Sequence, residues 1–122
     1  TMPALLRAHR LGERAASVGF DWRDQAGVRD KVREELDELI AAESEPDPER
    51  VAEEIGDAMF TLASYARHRG ANAEMLLHSA LDRFQQRFAC MEQELAAQGQ
   101  RFETLDDTRL DEAWQRAKTA KR

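Results

Sequence analysis

The chain is predicted to be all-α, an antiparallel bundle of about four to five helices completed by dimerisation. Three observations carry this. Apolar residues recur at helical spacing nearly throughout, strand-like alternation is absent, and the three prolines at 3, 46 and 48 avoid the interiors of the helical runs. At 122 residues the chain fits one domain, taken as 1–122. A domain of this size buries only about two-thirds of its unfolded surface, so pairing with a copy of itself is expected.

The first helix is expected from about Ala4 to Ser17, stopped by Gly19, with Phe20 and Trp22 packing back on the core. A second runs from about Gln25 to Glu43, with Val28, Val32, Leu36, Leu39 and Ile40 as its buried stripe. "SEPDP" breaks the chain, and Asp47 as N-cap, Pro48 and Glu49 open a third helix. That helix ends near Arg69, with Gly70 at the C′ position. So short a break predicts antiparallel arms. Asn72 caps a fourth helix, about 73 to 98, where Leu77, Leu81, Phe84, Phe88, Met91 and Leu95 form a heptad-like stripe ended by Gly99. A last helix, about 107 to 120, carries Leu110, Ala113, Trp114 and Ala117 on one face.

Net charge of −6 and a pI near 5.1 argue against a nucleic-acid polymer as partner. A single cysteine, Cys90, excludes an internal disulfide and a cysteine-rich zinc site, and suits a reducing cytoplasm. No apolar run reaches membrane-spanning length and no leader is visible, so neither a membrane nor export is expected. The ends leave open whether the chain is whole or a domain of something longer.

Two acid clusters stand out: "EELDE" at 34–38 and "EEIGD" at 53–57, the only repeat-like feature. Glu35 and Glu38 share a helix face, as do Glu54 and Asp57. Glu35 and Glu54 fall at the borders of the apolar stripes, where two antiparallel helices can bring carboxylates to a common seam. A solvated acidic face is the competing reading. Against it, like charges at this spacing disfavour a helix, and few cations are interspersed. An all-oxygen cage, with no Glu-x-x-His anywhere, points to Mg²⁺, with Mn²⁺ able to substitute, and so to phosphate-ester or nucleotide chemistry.

"KVREELDELI…VAEEIGDAMF" resembles the MazG family of nucleoside triphosphate pyrophosphohydrolases, with its EExxE and ExxD signature. "GFDW" at 19–22, "ARHRG" at 66–70, "LDRFQQRF" at 81–88 and "EAWQRAK" at 112–118 look like the C-terminal catalytic domain of two-domain members. The resemblance implies an all-α NTP pyrophosphatase fold, as a homodimer or dimer of dimers. It further implies Mg²⁺-dependent hydrolysis of NTPs or dNTPs to the monophosphate and pyrophosphate, with a role in clearing aberrant nucleotides. Under it Glu35, Glu38, Glu54 and Asp57 hold the metal, and Glu34 and Glu53 orient or deprotonate water. Lys31, Arg83, Arg87 and Lys118 meet phosphates, and Trp114 packs near the base or sugar.

Each of these has a plainer reading: flanking charges for Arg83 and Arg87, core for Trp114, an intrahelical ion pair for Lys31. His9 and His78 are expected at the surface or rim, His68 as a helix C-terminal cation, and Cys90 as a neighbour of the stripe. Related dUTPase- or dCTPase-like enzymes, phosphoribosyl-ATP pyrophosphohydrolase and a non-catalytic dimerisation module are the alternatives.

Overall fold

The structure, a computed structural model, describes residues 1–120. Among them are five α-helices, one 3₁₀ turn and no strand, so the chain is all-α. The helices are α1 (Ala4–Ser17), α2 (Gln25–Ala42), α3 (Pro48–His68), α4 (Ala73–Ala97) and α5 (Asp107–Ala120). They fall into two compact units, Thr1–Leu76 and the part from Leu77 onward.

The expected stops and caps set the boundaries. Gly19, Gly70 and Gly99 each adopt positive φ, which a side chain would strain. Asp47 Oδ1 accepts the Glu49 amide at 3.0 Å, and Asn72 Oδ1 accepts that of Glu74 at 2.9 Å. Asp24 caps α2 in the same way, accepting the Gly27 amide at 2.8 Å.

In the first unit α2 packs along α3, and α1 packs on α3. The face of α2 that is covered runs through Val28, Glu35 and Ala42, spaced by sevens; that of α3 runs through Glu54, Thr61, Ala63 and Ser64. This keeps Val28 of the expected α2 stripe and corrects it at Leu36 and Ile40. Small and polar side chains line the contact, which lets the backbones approach, while the large apolar ones turn outward. Leu36, Ile40, Ile55, Met59, Phe60 and Leu62 are all exposed, Ile40 by 62%. Phe20 does not pack back either; it is 81% exposed.

The connection from α1 to α2 is instead held by polar groups. Arg67 donates to both oxygens of Asp21, and the His68 ring nitrogen Nε2 lies 2.8 Å from Asp21 Oδ1. Trp22 meets the His68 ring edge-on at 6.2 Å. His68 thus anchors a loop as well as ending a helix. His9, expected at the surface or rim, is largely covered, with Nε2 at 3.7 Å from Glu13.

The second unit has its own core of Met91, Leu95, Ala113 and Ala117, with Cys90, Phe102, Leu105, Leu110 and Trp114 packed against it. Only the C-terminal part of the heptad-like stripe is therefore buried. Leu77, Leu81, Phe84 and Phe88 remain exposed on α4, although Phe84 and Phe88 stack on each other and touch Trp114 and Phe102 respectively.

Candidate active site

The hairpin of α2 and α3 brings Glu35, Glu38 and Glu54 together, with one carboxylate oxygen of each within 4.8 Å of the others. Glu35 and Glu54 are 7% and 6% exposed; Glu38 stands at the open side. Burying two carboxylates in one seam is costly unless positive charge or hydrogen bonds compensate.

Compensation is partial. Lys31 Nζ lies 3.1 Å from Glu35 Oε1 and 3.2 Å from Glu34 Oε1; Arg50 Nε lies 3.3 Å from Glu54 Oε1. The other oxygen of each buried glutamate, Oε2, is buried and has no hydrogen-bond partner in the protein. Such atoms are rare in folded chains. Charge crowding shows at Glu38, whose carboxyl is pushed above the usual range, chiefly by the Glu35 charge. The hydrogen bond to Glu35 in turn raises the Lys31 ammonium.

Three of the four predicted metal ligands thus converge. Asp57 lies one turn beyond Glu54 and is exposed; its backbone carbonyl accepts the Thr61 hydroxyl at 2.9 Å, and its carboxylate is not among the three that cluster. Glu34 is exposed at the flank, bound to Lys31, and Glu53 is exposed on α3. Glu35, expected at the border of its stripe, sits instead on the covered face. The covered face of α2 is set by close approach to α3, not by its largest apolar residues.

Arg50 is a residue the sequence reading missed, although a signal was present. "KVREELDE" (31–38) and "RVAEEIGD" (50–57) match over eight positions in the pattern cation, Val, any, Glu, Glu, Leu or Ile, any, acid. The acid motif is the end of a longer repeat whose first member is the cation that pairs with the buried glutamate.

In the second unit Arg83 is exposed and Arg87 half-buried on α4. Trp114 packs half-buried against Phe84 at 5.3 Å and on the unit's core, which is its plainer predicted role. Lys118 is exposed one turn further along α5.

The sequence profile of the phosphoribosyl-ATP pyrophosphohydrolase family matches residues 9–84, which include the whole α2–α3 hairpin. The chain belongs to this family. Curated relatives match over nearly all of the chain. One, from Escherichia coli K12, is named nucleoside triphosphate pyrophosphohydrolase and is 39% identical over 120 residues, 97% of this chain and 46% of its own length. Another, from Thermotoga maritima, is named nucleoside triphosphate pyrophosphohydrolase/pyrophosphatase MazG and is 40% identical over 117 residues, 96% of this chain and 45% of its own. The chain thus spans about half the length of the curated relatives it matches. The family profile stops at residue 84, short of Arg87, Trp114 and Lys118, whereas both relatives align through almost all of the chain. The resemblance to MazG-type enzymes therefore stands within a pyrophosphohydrolase family.

The donor set fits a hard divalent cation. All donors are carboxylate oxygens, and the unpartnered buried Oε2 atoms of Glu35 and Glu54 supply the fit that a purely structural seam lacks. No helix among the described residues is long and apolar enough to cross a membrane.

Proposed function

We propose that the chain is a Mg²⁺-dependent nucleoside triphosphate pyrophosphohydrolase, cleaving NTPs and dNTPs to the monophosphate and pyrophosphate. The observation that carries this is the pair of buried glutamates, Glu35 and Glu54, each with an unpartnered oxygen beside Glu38. Family membership supplies the reaction class, and the names of the two relatives favour nucleoside triphosphates.

Glu35, Glu38 and Glu54 would hold the cation, with Asp57 as a fourth ligand from the next turn of α3. Bound there, Mg²⁺ supplies neutralisation of the triphosphate charge. Glu34 or Glu53 takes a proton from the attacking water as its oxygen bonds to phosphorus and the anhydride bond breaks. The electron pair of that bond leaves on pyrophosphate. Lys31, Arg83, Arg87 and Lys118 offset charge on the phosphates, and Trp114 packs against the nucleoside, from this chain or a second copy. Clearing aberrant nucleotides in the cytoplasm is the role this activity suits.

A homodimer, or a dimer of dimers, is part of the same proposal. The outward residues Leu36, Ile40, Ile55, Met59, Phe60 and Leu62 give the hairpin an apolar exterior that a monomer would leave in water. A second copy covers it by the same chemistry on both sides.

The test is purified protein with Mg²⁺, a panel of NTPs, dNTPs and phosphoribosyl-ATP, and a pyrophosphate readout. Release from nucleoside triphosphates supports the proposal; release from phosphoribosyl-ATP alone moves the substrate to the family's namesake. No pyrophosphate from any of them overturns the enzymatic reading.

A further inference from the structure

The two copies of the eight-residue repeat place a cation one helical turn before each buried glutamate. Each cation meets one oxygen of its glutamate and leaves the other. Lys31 is on Oε1 of Glu35 and Arg50 on Oε1 of Glu54, while both Oε2 atoms are left without a protein partner. Because the arms run antiparallel, Lys31 and Arg50 approach the carboxylates from opposite ends of the seam, each about 6 Å along its own helix axis from its glutamate.

The Arg50 contact is loose. A single Nε at 3.3 Å is not the two-pronged grip a guanidinium gives a carboxylate, and the Arg50 side chain is 51% exposed. Few groups hold it there beyond the charge of Glu54.

We propose that Arg50, together with Lys31, is a built-in counter-cation of the cage: it neutralises the carboxylates when no ion is bound and is displaced from Glu54 when a divalent cation enters. This rests on reading the cage as a divalent-cation site. The physical ground is competition for the same negative charge. A compact divalent ion carries twice the charge of a guanidinium and orders no side chain, so it wins the site at sufficient concentration. The tethered cation keeps the ion-free hairpin closed and, by the same free energy, holds ion affinity below that of bare carboxylates.

Mn²⁺ binding to nucleotide-free protein, followed by electron paramagnetic resonance, tests this. Arg50→Gln is expected to tighten Mn²⁺ about three- to tenfold, the size of a partly exposed ion pair with one buried member. Arg50→Lys restores most of the wild-type affinity. Arg10→Gln, which deletes an exposed cation on α1 that is bonded to Glu13, leaves it unchanged. In chelator the Arg50→Gln protein melts lower than wild type, and the gap closes at saturating Mn²⁺. Unchanged or weaker binding by Arg50→Gln overturns the inference, as does equal tightening by Arg10→Gln, which would make it a net-charge effect. If wild-type protein binds no Mn²⁺, the cage reading itself falls and takes this inference with it.

Discussion

Arg67 grips Asp21 with two parallel hydrogen bonds, 2.9 and 3.0 Å long, between residues 46 positions apart in the chain. This pair ties the connection between α1 and α2 to the end of α3, where apolar packing does not: Phe20, in the same connection, points into solvent. Both side chains are mostly covered, so the pair is less screened than a surface bridge.

Acid should loosen this tie. The Arg67 guanidinium, and then His68, holds the Asp21 carboxyl well below the usual carboxylate range. A depressed carboxylate contributes stability that is fully present above its unfolded value, about 3.9, and is lost as pH falls below it. Urea midpoints measured from about pH 5 down to pH 2 should show that loss, of about 1–2 kcal/mol. Asp21→Asn should be less stable at neutral pH and should lack this part of the acid dependence.

Gly12 should resist substitution for the same reason. A Cβ there would stand 2.8 Å from Arg67 Nε, in the middle of a side chain pinned at its tip. Alanine gains up to about 1 kcal/mol of helix propensity, so the clash must exceed that to show. The prediction is a double-mutant cycle: Gly12→Ala destabilises the wild-type protein but becomes neutral or stabilising in Asp21→Asn, where Arg67 is free to move. Additive effects in thermal unfolding would remove the proposed clash.

Glu38→Gln and Asp57→Asn should each abolish pyrophosphate release while far-ultraviolet circular dichroism stays helical. In the ion-free protein Glu38→Gln should also raise the melting temperature, because it removes a carboxylate whose proton affinity is already raised by Glu35. Turnover that survives both substitutions would put the metal ligands elsewhere.

Met59→Lys, on the outward face of α3, should lower the mass found by light scattering to that of one chain and leave the helical spectrum intact. Met59 is 56% exposed, so the single chain loses little packing by the change. An unchanged mass would show that this face is not the one covered.

The helix ends were legible because they are local. Gly19, Gly70 and Gly99, the Asp47–Pro48 start and the Asn72 cap each act within a turn, and each appears where the sequence puts it. The three converging glutamates were legible as well, since i, i+3 spacing on two arms of one hairpin leaves few other arrangements. Facing was not. Periodicity marks an apolar side of α2 and α3 but cannot say whether that side meets the neighbouring helix or something else. Val28 is covered as expected, but Leu36 and Ile40 were assigned inward when Glu35 and Ala42 are the ones covered. The Asp21–Arg67–His68 cluster went unseen because a polar contact between positions 46 and 47 residues apart carries no periodic signal.

The repeat from 31 to 38 and 50 to 57 bears on how the hairpin tolerates its own charge. Glu35, Glu38 and Glu54 all belong to one hairpin closed by the short segment between α2 and α3, so the seam can assemble within that hairpin. Closing the hairpin, however, forces Glu35 and Glu54 into the same dry space. Lys31 and Arg50 relieve that repulsion from within the hairpin itself, one residue for each arm. The hairpin therefore carries one counter-charge on each arm for the acid it encloses.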